Sequence, residues 1–163
     1  MQKAIFPLRK CTETQAMDVG SHKDIKAIDF ARLKDYPNET KVYAPFDGTL
    51  VFIDKRENGH GIAFQSLNKV EYADGTIDYM TVWTGHDNDV SNLKVGQIIN
   101  QGTHYSDMGN AGNATGIHCH LEVIKGKFIK PTKVTKMGSW KIDNTIEPYK
   151  ALFLTEDTII KDS

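Results

Sequence analysis

Apolar and polar residues alternate along most of this chain in short runs, and Gly-containing breaks separate them. "KVYAPFDGTLVFID" (41–54) holds two extended runs around Asp47-Gly48, with Ala44-Pro45 punctuating the first. "GIAFQS" (61–66) follows a Gly59-His60-Gly61 break. "VEYADGTIDYMTVW" (70–83) predicts a hairpin whose Asp74-Gly75 supplies the positive φ of a tight turn. "LKVGQIINQGTHYSDMG" (93–109) gives further short runs broken by Gly96 and Gly102, and "IHCHLEVIK" (117–125) predicts another strand. No stretch before residue 140 keeps a 3.6-residue period, and only "TIEPYKALF" (145–153) suits a helical turn or two. Short strands at regular spacing predict a mainly β fold: a compact antiparallel sandwich or barrel-like core with few short helical turns.

The length of 163 residues suits one domain, or one domain with a tail. After Gly126 the composition becomes Lys-rich and looser, so 1–125 is expected to be the core and 126–163 a peripheral extension packed on it or trailing from it. Hydrophobic residues at 39% and charged residues at 25% are an ordinary globular mixture. A net charge of −1 without a long basic run argues against nucleic-acid binding. No apolar stretch reaches the roughly 20 residues of a membrane span. "MQKAIFPLRK" lacks the apolar core of a signal peptide. The two cysteines, Cys11 and Cys119, are expected to be reduced thiols, and without a CxxC motif any metal site must use His, Asp and Glu.

The candidate chemistry centres on "TGIHCHLEV" (115–123). On a strand, His118, His120 and Glu122 share one face, while Cys119, Leu121 and Val123 turn to the core. Two imidazoles about 7 Å apart on one surface, at ~3.4 Å rise per residue, can converge on one ion or one substrate. Upstream, "MGNAGNATG" (108–116) is built of small and amide residues, with Gly109, Gly112 and Gly116 free to take unusual backbone angles. In "GSHKDIKAIDFA" (20–31), Asp29 lies inside an apolar run, where burial is costly unless a metal or cation offsets it. His86 ends the hairpin strand, and His60 and His104 sit in Gly-flanked turns with no evident partner.

Four segments, "SHKDIKAIDF", "VYAPFDGTLVFI", "LKVGQIINQG" and "GNAGNATGIHCHLEV", resemble the lysostaphin/LytM-type zinc endopeptidases that cut peptidoglycan, over roughly residues 18–125. The resemblance implies a compact antiparallel β core with a long groove. It implies one Zn²⁺ held by His22, Asp29 and His120, with His86 and His118 as non-ligating catalytic residues. It also implies bacterial peptidoglycan as the partner, with Asn110, Asn113 and Thr115 of the small-residue loop against the substrate. A monomer is expected. The chain departs from the family in two places. Six residues separate His22 from Asp29 where the family has three, which predicts a longer turn before the Asp-bearing strand and leaves Asp24 as the lesser candidate. No Tyr precedes His22; the first is Tyr36. The competing readings are an inactive structural or activator module of the same fold and a histidine phosphocarrier-like module. The former would lack ligands, which are all present here; the latter needs no Asp29. Absence of a signal peptide fits a phage lysis enzyme made in the host cytosol, a virion component, or a fragment of a secreted enzyme.

Overall fold

The computed structural model describes residues 1–56, 60–112, 114–135 and 138–161. In chain order its strands are β1 (Lys10–Gln15), β2 (Ile28–Arg32), β3 (Lys41–Tyr43), β4 (Gly48–Ile53), β5 (Ile62–Ser66), β6 (Val70–Glu71), β7 (Ile77–Asp78), β8 (Met80–Gly85), β9 (Ile98–Ile99), β10 (His104–Asp107), β11 (Cys119–Lys125), β12 (Thr145–Ile146) and β13 (Ile159–Lys161). One short helix, α1 (Pro148–Ala151), begins on a proline, whose fixed φ suits a first turn. No helix among the described residues is long and apolar enough to cross a membrane.

One sheet dominates, in the order β13-β1-β2-β11-β8-β5-β4-β9, with β12 also paired to β11. The long-range pair β3–β10 and the hairpin β6–β7 stand apart from it. The Asp74-Gly75 turn forms as expected, with Gly75 at φ 90°. The strands pair antiparallel, with one exception that corrects the all-antiparallel expectation: β13 runs parallel to β1. The sheet also does not close on itself, so the barrel-like alternative gives way to an open, mixed sheet.

Alternation along the strands divides the sheet into two faces. Ile28 and Phe30 of β2, Leu50, Ile62, Phe64, Met80, Val82, Cys119, Leu121 and Val123 fill the main core. On the opposite face Ala63, Trp83, Ile124 and Ile142 form a second apolar cluster, with Phe52, Phe128 and Trp140 packed against it. Cys119, Leu121 and Val123 turn inward, as the alternation predicted, and both cysteines are free and buried. Residues after Gly126 add β13 at one edge of the sheet and β12 alongside the central β11, and Ala151 and Leu152 enter the main core.

Candidate active site

The second face of the sheet carries the candidate chemistry. Asp29 on β2 lies directly opposite His120 on β11, so both side chains leave the same face. His22 comes from a single 3₁₀ turn, Gly20–His22, and is buried. The extra residues between His22 and Asp29 make a turn, in which Asp24 adopts φ 63° and faces solvent. Asp24 is therefore apart from the cluster.

Three donors converge. Asp29 Oδ2 lies 3.3 Å from His22 Nε2, and Asp29 Oδ1 lies 3.1 Å from His120 Nδ1. All three ligand atoms fall within 4.8 Å of one another. Two donors at tetrahedral angles and ~2.0–2.2 Å from one zinc ion stand about 3.3–3.6 Å apart, so the cluster suits that ion with modest adjustment. Each imidazole has its other nitrogen engaged. His22 Nδ1–H donates to Ala16 O at 3.1 Å, and His120 Nε2–H donates to the buried Glu122 carboxylate at 3.1 Å. Such partners hold each ring so that His22 Nε2 and His120 Nδ1 face Asp29, where a metal would replace the protons these atoms share with the carboxylate.

His118 and His86 stand beside this cluster, their ring centroids 4.5 Å apart. His118 Nδ1–H donates to Gly116 O at 2.8 Å, and His86 Nδ1–H to Ala111 O at 2.7 Å, so both present Nε2 to the site. His118 Nε2 lies 3.6 Å from Asp29 Oδ2. The loop expected to bind substrate thus reaches the histidines through its backbone carbonyls. Asn110 and Thr115 of that loop are exposed, and Asn113 falls outside the described residues.

The electrostatics follow from crowding of charge in a half-dry site. Burial by itself raises the Asp29 carboxyl, but hydrogen bonds from His120 and His22 outweigh it and hold the group well below the usual range. Burial lowers His120, yet Asp29 and Glu122 override that and push it up to about 10. Burial brings His86 down to about 4, helped by the neighbouring histidines, so it is neutral near pH 7.

The His86 corner is a feature the sequence did not disclose. His86 sits at φ 79°, unfavourable for a side-chain-bearing residue. Buried Asp87 holds it there. Its Oδ2 accepts Ser106 Oγ–H at 2.6 Å and Asp107 N–H at 2.8 Å, and its Oδ1 accepts Asp89 N–H at 2.9 Å. His60, without an evident partner in the sequence, donates Nδ1–H to Asp87 O at 2.6 Å. Gly109 is needed for close approach, since a Cβ there would overlap the His86 carbonyl oxygen and Asn88 N. His104 pairs with Asp107 at 3.1 Å, away from the site. An open pocket adjoins the histidines, lined among others by His86, His120, Glu122, Trp83 and Trp140. Trp140 comes from the segment after β11, which the sequence marked only as peripheral.

The chain is 35% identical over 128 residues to "Morphogenesis protein 1" of Bacillus phage B103, covering 77% of this chain and 33% of that protein. The chain thus spans about a third of the length of that curated relative. Among solved structures, a mutant of the catalytic domain of the prophage-encoded M23 protein EnpA from Enterococcus faecalis superposes with a TM-score of 0.55 at 20% identity, covering 76% of this chain and 88% of that one. A zinc-containing peptidase from Vibrio cholerae gives 0.51 at 17% identity, covering 76% and 37%. Lysostaphin from Staphylococcus simulans gives 0.51 at 19% identity, covering 78% and 48%. These likenesses establish a shared fold. The model of peptidase family M23 matches residues 23–131, the stretch that carries Asp29, His86, His118 and His120, and the chain belongs to that family.

Proposed function

We propose that this chain is a zinc-dependent endopeptidase that hydrolyses peptide bonds of bacterial peptidoglycan. The observation that carries the reading is the convergence of His22, Asp29 and His120 beside His86 and His118. Two imidazoles and one carboxylate leave a fourth tetrahedral position open, as catalytic zinc sites require. Zinc held there supplies a Lewis acid that polarises the scissile carbonyl and acidifies water.

The chain's own residues do the rest. Asp29 and His120 hold their positions through strand pairing, and His22 through its backbone-anchored ring. His86 Nε2 and His118 Nε2 flank the reaction centre and share the proton work. One accepts the proton lost by the attacking water, and the other donates toward the oxyanion or the departing amine. Anchoring each Nδ1–H on a backbone carbonyl fixes both rings before substrate arrives. Asn110 and Thr115, both exposed on the loop beside the histidines, are the described residues proposed to meet the substrate. Peptides rich in Gly and Ala, without large side chains, would suit a loop built of small and amide residues. Similarity to a phage morphogenesis protein supports a virion-associated or lytic setting.

The test combines metal analysis with release of new amino groups from purified peptidoglycan. Wild-type protein is expected to hold one zinc and to cut. His22→Ala and His120→Ala lose zinc, whereas His118→Ala keeps zinc and loses turnover. Full turnover in His118→Ala, or a wild-type protein that binds no zinc, refutes the reading.

A further inference from the structure

The segment that follows β11 carries an unusual charge. Residues 125–141 hold six of the chain's 20 Lys and Arg and none of its 21 Asp and Glu, so the rest of the chain carries −7. Part of this segment folds as a small hairpin arm. Val134 bridges Trp140, Lys141 N–H donates to Lys133 O at 3.0 Å, and Thr135 N–H donates to Ser139 O at 2.7 Å. Lys136 lies outside the described residues. Trp140 turns to the catalytic pocket, where the Arg56 guanidinium covers its ring at 4.2 Å.

The register sets Lys133 opposite Lys141, on the face away from Trp140. Like charges directly opposite each other destabilise a strand pair. Both lysines line one recess with Thr132 and Asp143. A neighbouring recess shares those two residues and adds Lys127 and Lys130. These last two are seated on aromatic rings, Lys127 over Tyr79 at 4.5 Å and Lys130 over Phe52 at 5.4 Å. All four lysines are exposed, and none takes part in a salt bridge among the described residues. Asp143 is the single carboxyl in either recess. The two recesses thus bring four ammonium groups and one carboxylate to one region of the surface, a local positive excess that a bound anion would offset.

We propose that these two recesses dock a phosphodiester-linked anionic polymer of the cell wall, of the poly(glycerol phosphate) kind, on the segment whose Trp140 helps to wall the catalytic pocket. The source of the polymer rests on the wall-peptidase reading above; its charge rests on the lysines alone. Nucleic acid is the less favoured polyanion. The aromatic faces that would stack bases are covered by Lys127, Lys130 and Arg56, and a long duplex would meet the −7 of the remaining surface.

Equilibrium binding of the whole chain to purified poly(glycerol phosphate) tests this. If four lysines are neutralised, affinity falls about 50-fold between 50 and 200 mM salt, by analogy with single-stranded polyanions. Lys133→Glu with Lys141→Glu, and separately Lys127→Glu with Lys130→Glu, should each weaken binding at least tenfold. Lys69→Glu with Lys94→Glu, an equal charge change elsewhere on the surface, should leave it within twofold. No binding, an equal loss in that control, or equally tight binding of duplex DNA overturns the proposal. The polymer has no peptide bond, so the two readings fail separately. A chain that binds it but leaves peptidoglycan intact refutes the peptidase reading; one that cuts but does not bind refutes the docking surface.

Discussion

Replacing Asp87 with alanine tests whether the His86 corner is held by its neighbour's carboxylate. Three donors lose their acceptor: Ser106 Oγ–H, Asp107 N–H and Asp89 N–H. Hydrogen bonds to a charged group contribute about 1.5–3 kcal/mol each. Asp89 is exposed, so its N–H regains water, and the Ser106 hydroxyl is free to rotate although its residue is buried. The uncompensated loss is therefore about 2–4 kcal/mol, less than three full bonds. At about 2–4 °C per kcal/mol for a chain of this size, Tm should fall by about 5–15 °C. Freed of its tether, His86 can leave its positive-φ conformation, which costs about 1–3 kcal/mol to maintain. Turnover should then drop at least tenfold, while bound zinc stays at the wild-type level because the proposed ligands lie on other elements. Asp87→Asn, which keeps one acceptor oxygen, should recover part of the stability. Circular dichroism melting, zinc analysis and amino-group release on the same preparations check all three outcomes. A Tm within about 2 °C of wild type, or zinc lost in step with turnover, refutes the positioning role.

Glu122→Gln weakens the acceptor of His120 Nε2–H and should reduce zinc affinity about 10–100-fold in a competitive chelator titration, without unfolding the chain. Burial pushes the Cys11 thiol up to about 12 and Cys119 higher still, so neither should react with a thiol reagent at pH 8 until denaturant is added, when two equivalents appear. Because these folded-state values are raised, their stabilisation is full below the ordinary thiol pKa and lost as pH climbs from about 9 toward 12; denaturation midpoints should fall across that window. We propose that residues 126–163 belong to the folding unit of the core: Leu152→Ala should cost about 2–5 kcal/mol, read from the denaturant midpoint, and a change below 1 kcal/mol would mean the extension is dispensable.

The alternation in "IHCHLEVIK" was enough to separate a core face from a chemical face, because a strand period of two is a local property. The same holds for the Asp74-Gly75 hairpin. What escaped was long-range or strained. β1, with the sequence KCTETQ, reads as polar and becomes a strand through pairing with β2 and β13. The parallel β13 pairing joins residues about 150 apart, and no local pattern encodes it. Two of the three donors on Asp87, the residue beside positive-φ His86, depend on β10 lying alongside. The strand period puts Glu122 on the same face as His120, but the bond between them comes only with the fold. Trp140 entered the pocket from a segment whose lysines had marked it as surface.

The central place of β11 has a consequence for how the chain is made. It pairs with β2 on one side and β8 on the other, yet it comes after both in the sequence. Until it is synthesised, those two strands each present an open edge, and unpaired edges invite association with other chains. Insertion of β11 closes both edges and delivers His118 and His120 to Asp29 in the same event. Such a pairing is slow, because long loops must close before contacts reward it. A nascent or truncated chain ending before residue 118 should thus expose both edges and lack two histidines of the proposed site, so completion of one strand bears on solubility and on the proposed chemistry together.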